Sequence, residues 1–150
     1  MKKSIALFMT AALLVMAQST LLAQLRKVPA AVTEAFKKKY PNAENVEWND
    51  KVTVFMASFS EGGTSYEARF SNKGEWKNTE NEIAVADIPS AVNDGYQKSK
   101  FTEWEIQKAY KISVPGNKVE YRLHVKKSDL QQKNLLFSSD GRLLKDNITL

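Results

Sequence analysis

The sequence contains no cysteine and a single histidine, His124, in 150 residues. Without cysteine it forms no disulfide, carries no lipid on an N-terminal thiol, and builds no zinc site of the His/Cys type. One histidine also excludes the paired histidines of an HExxH metalloprotease helix. No GxSxG nucleophile elbow is present. Glu61-Gly62-Gly63-Thr64 lacks the lysine and the spacing of a phosphate loop, and its glycines suit a hairpin turn instead. No stretch follows the alternating acidic pattern of a calcium loop. No cofactor and no metal are therefore expected.

Long apolar runs are also scarce, and the one at the start stops early. Lys2-Lys3 precede an apolar run from Ile5 through Val15, and Leu21-Leu22-Ala23 stands before Gln24. That is the layout of a secretory signal peptide. Gln18, Ser19 and Thr20 interrupt it well short of the ~20 apolar residues a spanning helix needs. Residues 1–23 read as the signal peptide and 24–150 as the mature chain; Val15-Met16-Ala17 before Gln18 is a second candidate cleavage site. The expectation is a periplasmic protein with no stable membrane insertion after cleavage. With no disulfides, it has to be held together by packing.

A strong excess of one charge is missing too. Lys and Arg number 22 against 17 Asp and Glu, a formal +5, and loss of Lys2 and Lys3 with the leader lowers this to +3. A nucleic-acid domain concentrates Lys and Arg with interleaved aromatics on one face, whereas here only Lys37-Lys38-Lys39 forms a run. That run falls near a helix end, where cations favour the macrodipole. No nucleic-acid partner is expected.

What the chain does have is a repeat. Val28-Pro29-Ala30-Ala31-Val32-Thr33-Glu34-Ala35-Phe36 returns as Ile88-Pro89-Ser90-Ala91-Val92-Asn93-Asp94-Gly95-Tyr96, with apolar residues at i, i+3, i+4, i+7 and i+8. Each copy predicts a helix with one apolar stripe, opened by a proline whose missing N–H costs nothing there. Pro41 closes the first helix. Alternation then predicts a strand at Val46-Glu47-Trp48, a second at Val52 to Ser60, a third at Tyr66 to Phe70, and a fourth, short one at Trp76. Asn78 to Ala86 reads as a connector to the second helix. Further on, Phe55, Ala57 and Phe59 match Tyr121, Leu123 and Val125, and Ala68, Phe70 and Gly74 match Leu135, Phe137 and Gly141. Insertions between Trp104 and Tyr121 lengthen the first hairpin of the second copy. Units of about sixty residues are marginal alone, so two repeats, about 26–86 and 87–146, are expected to share one sheet and one core as a single domain. The fold class is α+β: two tandem α-β4 repeats, antiparallel throughout.

This order of elements, with its Val/Ile-Pro helix start, Trp-bearing strand, aromatic-x-apolar-x-apolar strand and Phe-x-x-x-Gly hairpin, resembles the PepSY-like family of β-lactamase-inhibitor-like (BLIP-like) periplasmic proteins. The resemblance covers residues 26–146. It implies a curved antiparallel sheet of about eight strands with both helices on one face, and a role in binding rather than catalysis. It supplies no site residues.

Strand alternation supplies candidates. If Phe55, Ala57 and Phe59 face the helices, then Val54, Met56 and Ser58, Glu67 and Arg69, and Arg122, His124 and Lys126 occupy the helix-free face. An apolar centre with a charged surround suits a protein interface. The sequence therefore predicts a monomeric, non-enzymatic module that engages a protein or peptide in the periplasm, with protein- or peptidase-inhibitor-like binding as one form of that role, and with Arg122 and Lys126 favouring an acidic partner. The alternatives are an envelope hydrolase using His124 and a carrier for a small apolar ligand. Trp48, Trp76 and Trp104 read as core rather than as a ligand groove.

Overall fold

The computed structural model describes residues 27–148. The leader and its cleavage sites lie outside the described residues. Helix α1 (Ala30–Lys39) begins after Pro29, which takes an extended conformation at φ −61° and ψ 147°. It ends at Tyr40, immediately before Pro41. Four strands follow: β1 (Glu44–Asp50), β2 (Val54–Glu61), β3 (Thr64–Ser71) and β4 (Trp76–Ile83). A 3₁₀ turn over Val85–Asp87 leads to α2 (Ser90–Gln97), then β5 (Glu105–Val114), β6 (Lys118–Ser128), β7 (Gln131–Ser138) and β8 (Leu143–Ile148).

All eight strands form one antiparallel sheet in chain order, β1 to β8. Gly62 and Gly63 both take positive φ, 58° and 80°, which makes the two-residue β2–β3 turn of the type that matches strand twist. The first hairpin of the second half is longer than its counterpart, with strands of 10 and 11 residues against 7 and 8.

Two expectations need correction. The fourth strand is not short, because β4 runs eight residues to Ile83 through a stretch read as a connector. Its pattern is almost wholly polar, and its buried members, Thr79 and Glu80, are satisfied by side chains distant in sequence. The buried apolar residues on the helix side also divide into two clusters rather than one core, while Met56 and Ile112 are buried on the other face. Val32 and Phe36 pack on Phe55, Ala57, Phe59, Ala68 and Phe70. Val92 and Tyr96 pack with Phe101 on Ala109, Leu123, Val125, Leu135 and Phe137. The register puts both clusters on the same face of the sheet, through Ala68 opposite Thr79 and Ile83 opposite Ala109. Between them the helix side of the β4–β5 seam carries Thr79, Asn81, Lys111 and Ser113, which have no apolar surface to join the clusters. Trp48 and Trp76 pack against the first cluster and Trp104, just ahead of β5, against the second.

Candidate functional site

The face without helices is organised by a carboxylate that alternation on β4 turns away from them. Glu80 is 7% exposed. Arg122, from β6, donates to it through both terminal nitrogens at 3.0 Å. Arg69, from β3, approaches the same carboxylate at 3.2 Å and also donates to Glu67 at 3.2 Å and to Asn78 Oδ1 at 3.2 Å. Burial pushes the Glu80 carboxyl up, but the hydrogen bonds and charge of Arg122 and Arg69 outweigh it and hold the group below its ordinary value. The Arg122 guanidinium also lies 4.4 Å from the centre of the Tyr110 ring, and its Nε is buried with no hydrogen-bond partner. The planar forks are thus fixed on both sides of one carboxylate, a geometry for which arginine is suited and lysine is not.

Above this trio is an open cleft of about 710 Å³, whose lining includes Glu47, Ser58, Glu67, Arg69, Glu82, Tyr110 and Arg122. Of the sequence-derived candidates, the structure brings Ser58, Glu67, Arg69 and Arg122 together here. Val54 is half-buried on the same face opposite Ser71. Met56 is 8% exposed, and the register sets it between Asn49 and Arg69. His124 and Lys126 lie outside the lining, where His124 Nε2 meets Gln132 at 3.0 Å and Lys126 pairs with Asp129 at 2.6 Å. Glu47, Glu80, Glu82 and Tyr110 were missed. Glu80 and Glu82 sit at period two on β4, a signal hidden by the polar residues that alternate with them.

Among the described residues no group of three or more His, Asp or Glu side chains is placed to hold a metal ion. His124 pairs with an amide and its Nδ1 has no hydrogen-bond partner. A separate apolar groove of about 640 Å³ lies between α1 and β1, lined by Phe36, Tyr40, Val46 and Trp48 among others.

A single eight-stranded antiparallel sheet, backed by two helices on one face and open on the other, defines the β-lactamase-inhibitor-like class of fold. The chain belongs to the family described as "Putative beta-lactamase-inhibitor-like, PepSY-like", which it matches over residues 53–145. It is similar to the crystal structure of a BLIP-like protein from Bacteroides fragilis, at 26% identity and a TM-score of 0.69, with 79% of this chain and 84% of that one covered. It also resembles a structure from Bacteroides eggerthii described among "putative periplasmic proteins", at 24% identity, TM-score 0.70 and coverage of 80% and 88%. A DUF2874 family protein from Bacteroides uniformis shares the fold at 23% identity and TM-score 0.71, over 79% and 88% of the two chains. No curated protein matches the chain. Among the described residues no helix is long and apolar enough to cross a membrane.

Proposed function

We propose that the protein is an exported, non-enzymatic binding module that engages a protein or peptide in the periplasm through the helix-free face of its sheet. The observation that carries this reading is the open cleft built over a locked Arg69–Glu80–Arg122 trio. Side chains fixed before binding lose little further entropy on association, which favours specific recognition. A hydrolase reading would need His124 to meet a carboxylate and a nucleophile; its hydrogen-bond partner is Gln132. Export is supported by the signal-like leader and by the description of the Bacteroides eggerthii relative.

The test is site-specific photo-crosslinking in the periplasm. A photoreactive residue at Ser58, in the cleft, is compared with one at Lys38, exposed on α1. Discrete adducts from Ser58 and none from Lys38 are expected. Adducts only from Lys38, or none from either, would remove the helix-free face as the binding surface.

A further inference from the structure

The sign of the charge in the cleft is the reverse of what its position in a basic chain suggests. Glu47, Glu67, Glu80 and Glu82 line it against Arg69 and Arg122, and Lys108 reaches Glu82 from outside the lining at 3.5 Å, so four carboxylates meet three cations, a formal −1. The whole sequence is +5. Both arginines are already engaged: Arg122 is bound to Glu80 and stacked on Tyr110, and Arg69 is shared between Glu80 and Glu67. Lys126, the other cation proposed to draw an acidic partner, is held by Asp129. The negative surface also continues to the sheet edge, because β1 sets Glu44 and Glu47 on this face, opposite Ser60 and Ser58, and carries no Lys or Arg. The first half bears eight Lys and Arg against nine Asp and Glu over residues 27–86, and the second eleven against eight over 87–148.

From this charge complementarity we infer that the cleft receives a lysine- or arginine-bearing segment of another protein, with its cationic groups set between Glu47, Glu67 and Glu82 and its apolar stem against Tyr110. The inference rests on the binding reading above and adds the chemistry of the occupant. The Glu80 trio is the floor of the site. The rim keeps the acidic excess: Glu67 shares Arg69 with Glu80, Glu82 meets Lys108 only at 3.5 Å between exposed side chains, where an ion pair is weak, and Glu47 makes no ion pair among the described residues. An acidic segment would meet that rim with like charge, which costs affinity. The same geometry disfavours a second copy paired edge to edge through β1, since Glu47 would face acidic residues of its own kind.

The test uses the mature protein, labelled for NMR, titrated with three Gly/Ser peptides of equal length that carry spaced lysine and arginine, spaced glutamate, or no charge. The cationic peptide alone is expected to shift the amides of Ser58, Glu67 and Glu82, with affinity falling as salt rises. A Glu47→Gln/Glu67→Gln/Glu82→Gln variant, which leaves Glu80 and the arginines in place, is expected to weaken this binding about tenfold at low salt. The matched control Glu34→Gln/Asp94→Asn/Glu103→Gln changes net charge equally at exposed positions off the cleft and is expected to leave it within about twofold. Binding of the glutamate peptide at these amides, or equal weakening by both variants, overturns the inference. If Ser58 still crosslinks a partner while the cationic peptide fails to bind, the assigned charge is wrong and the binding face stands. If Ser58 captures nothing, the reading beneath it has failed.

Discussion

The two halves seat their helices by the same device and pack them with different side chains. In each, a glycine in the last hairpin takes a positive φ, 84° at Gly74 and 85° at Gly141, and lies directly against the first turn of the helix, under Ala31 O and Ala91 O respectively. Only glycine tolerates both that backbone angle and that approach. Beyond this the halves diverge. Phe36 is ringed by Trp48, Phe59 and Phe70 at centroid distances of 5.3, 5.1 and 6.1 Å. Its counterpart Tyr96 shares its cluster with Leu123, Val125 and Leu135 as well as with aromatic rings, and sends its hydroxyl to Trp104 O. Ala35 in α1 corresponds to Gly95 in α2, and Gly95 rests on the Gly141 carbonyl. The comparison teaches that the helix-to-hairpin contact fixes the architecture, while the filling of the core is free to vary if volume is kept.

The strongest way to break the comparison is to cut it in two. A fragment ending after Ala86 keeps α1, its aromatic cluster and β1–β4, yet loses β5, which pairs with β4 from Thr79 to Ile83. It also loses Arg122 and leaves Glu80 with Arg69 alone. A unit of about sixty residues has little margin to absorb this. We expect no cooperative transition in urea from the fragment, and one shared transition from the mature chain. A fragment that melts cooperatively would mean that the halves are independent domains.

Much of this frame was legible in the sequence, and the reason lies in which residues carried it. The helices, the hairpins and the in-facing Phe55, Ala57, Phe59 and their counterparts follow from apolar periodicity and turn chemistry, both local signals. The α+β class and the single antiparallel sheet follow from them. The middle of the candidate site was not legible, because β4 owes its burial to ion pairs with β3 and β6, and Glu80 meets an arginine 42 residues away. Nothing near Glu80 in sequence distinguishes it from a solvated glutamate. The same blindness made the open face read as apolar and basic, whereas Met56 is covered and the arginines are matched.

A smaller perturbation sharpens the comparison at the helices. Gly95→Ala places a Cβ against the Gly141 carbonyl, a backbone atom that cannot turn aside, and we expect a loss of about 3 kcal/mol despite the better helix propensity of alanine. The reciprocal Ala35→Gly in α1 should cost about 1 kcal/mol, mostly helix propensity with a small loss of contact to the first cluster. Urea unfolding of the two variants checks this. Equal losses would mean that the closer approach of α2 to its hairpin has no energetic consequence.

A smaller effect than that of Gly95→Ala is expected at Glu80, the point where the halves meet on the open face. Replacing it with Gln keeps the shape and removes the charge that Arg122 and Arg69 share, at an expected cost of about 2 kcal/mol near neutral pH. The pH dependence separates this charge effect from lost packing. The folded carboxyl lies below its ordinary value, with the two arginines outweighing burial. Its stabilisation is therefore fully present above the unfolded carboxylate pKa of about 4.3, and is lost as pH falls through the lower folded value. The stability gap between the native protein and Glu80→Gln should be constant from neutral pH down to about 5 and should narrow below about 4. Titration of exposed carboxylates common to both proteins cancels in the difference. A gap that stays unchanged on acidification would mean that Glu80 contributes shape rather than charge. The arginines would then not need it to hold them in place, and the cleft would lose its preorganised floor.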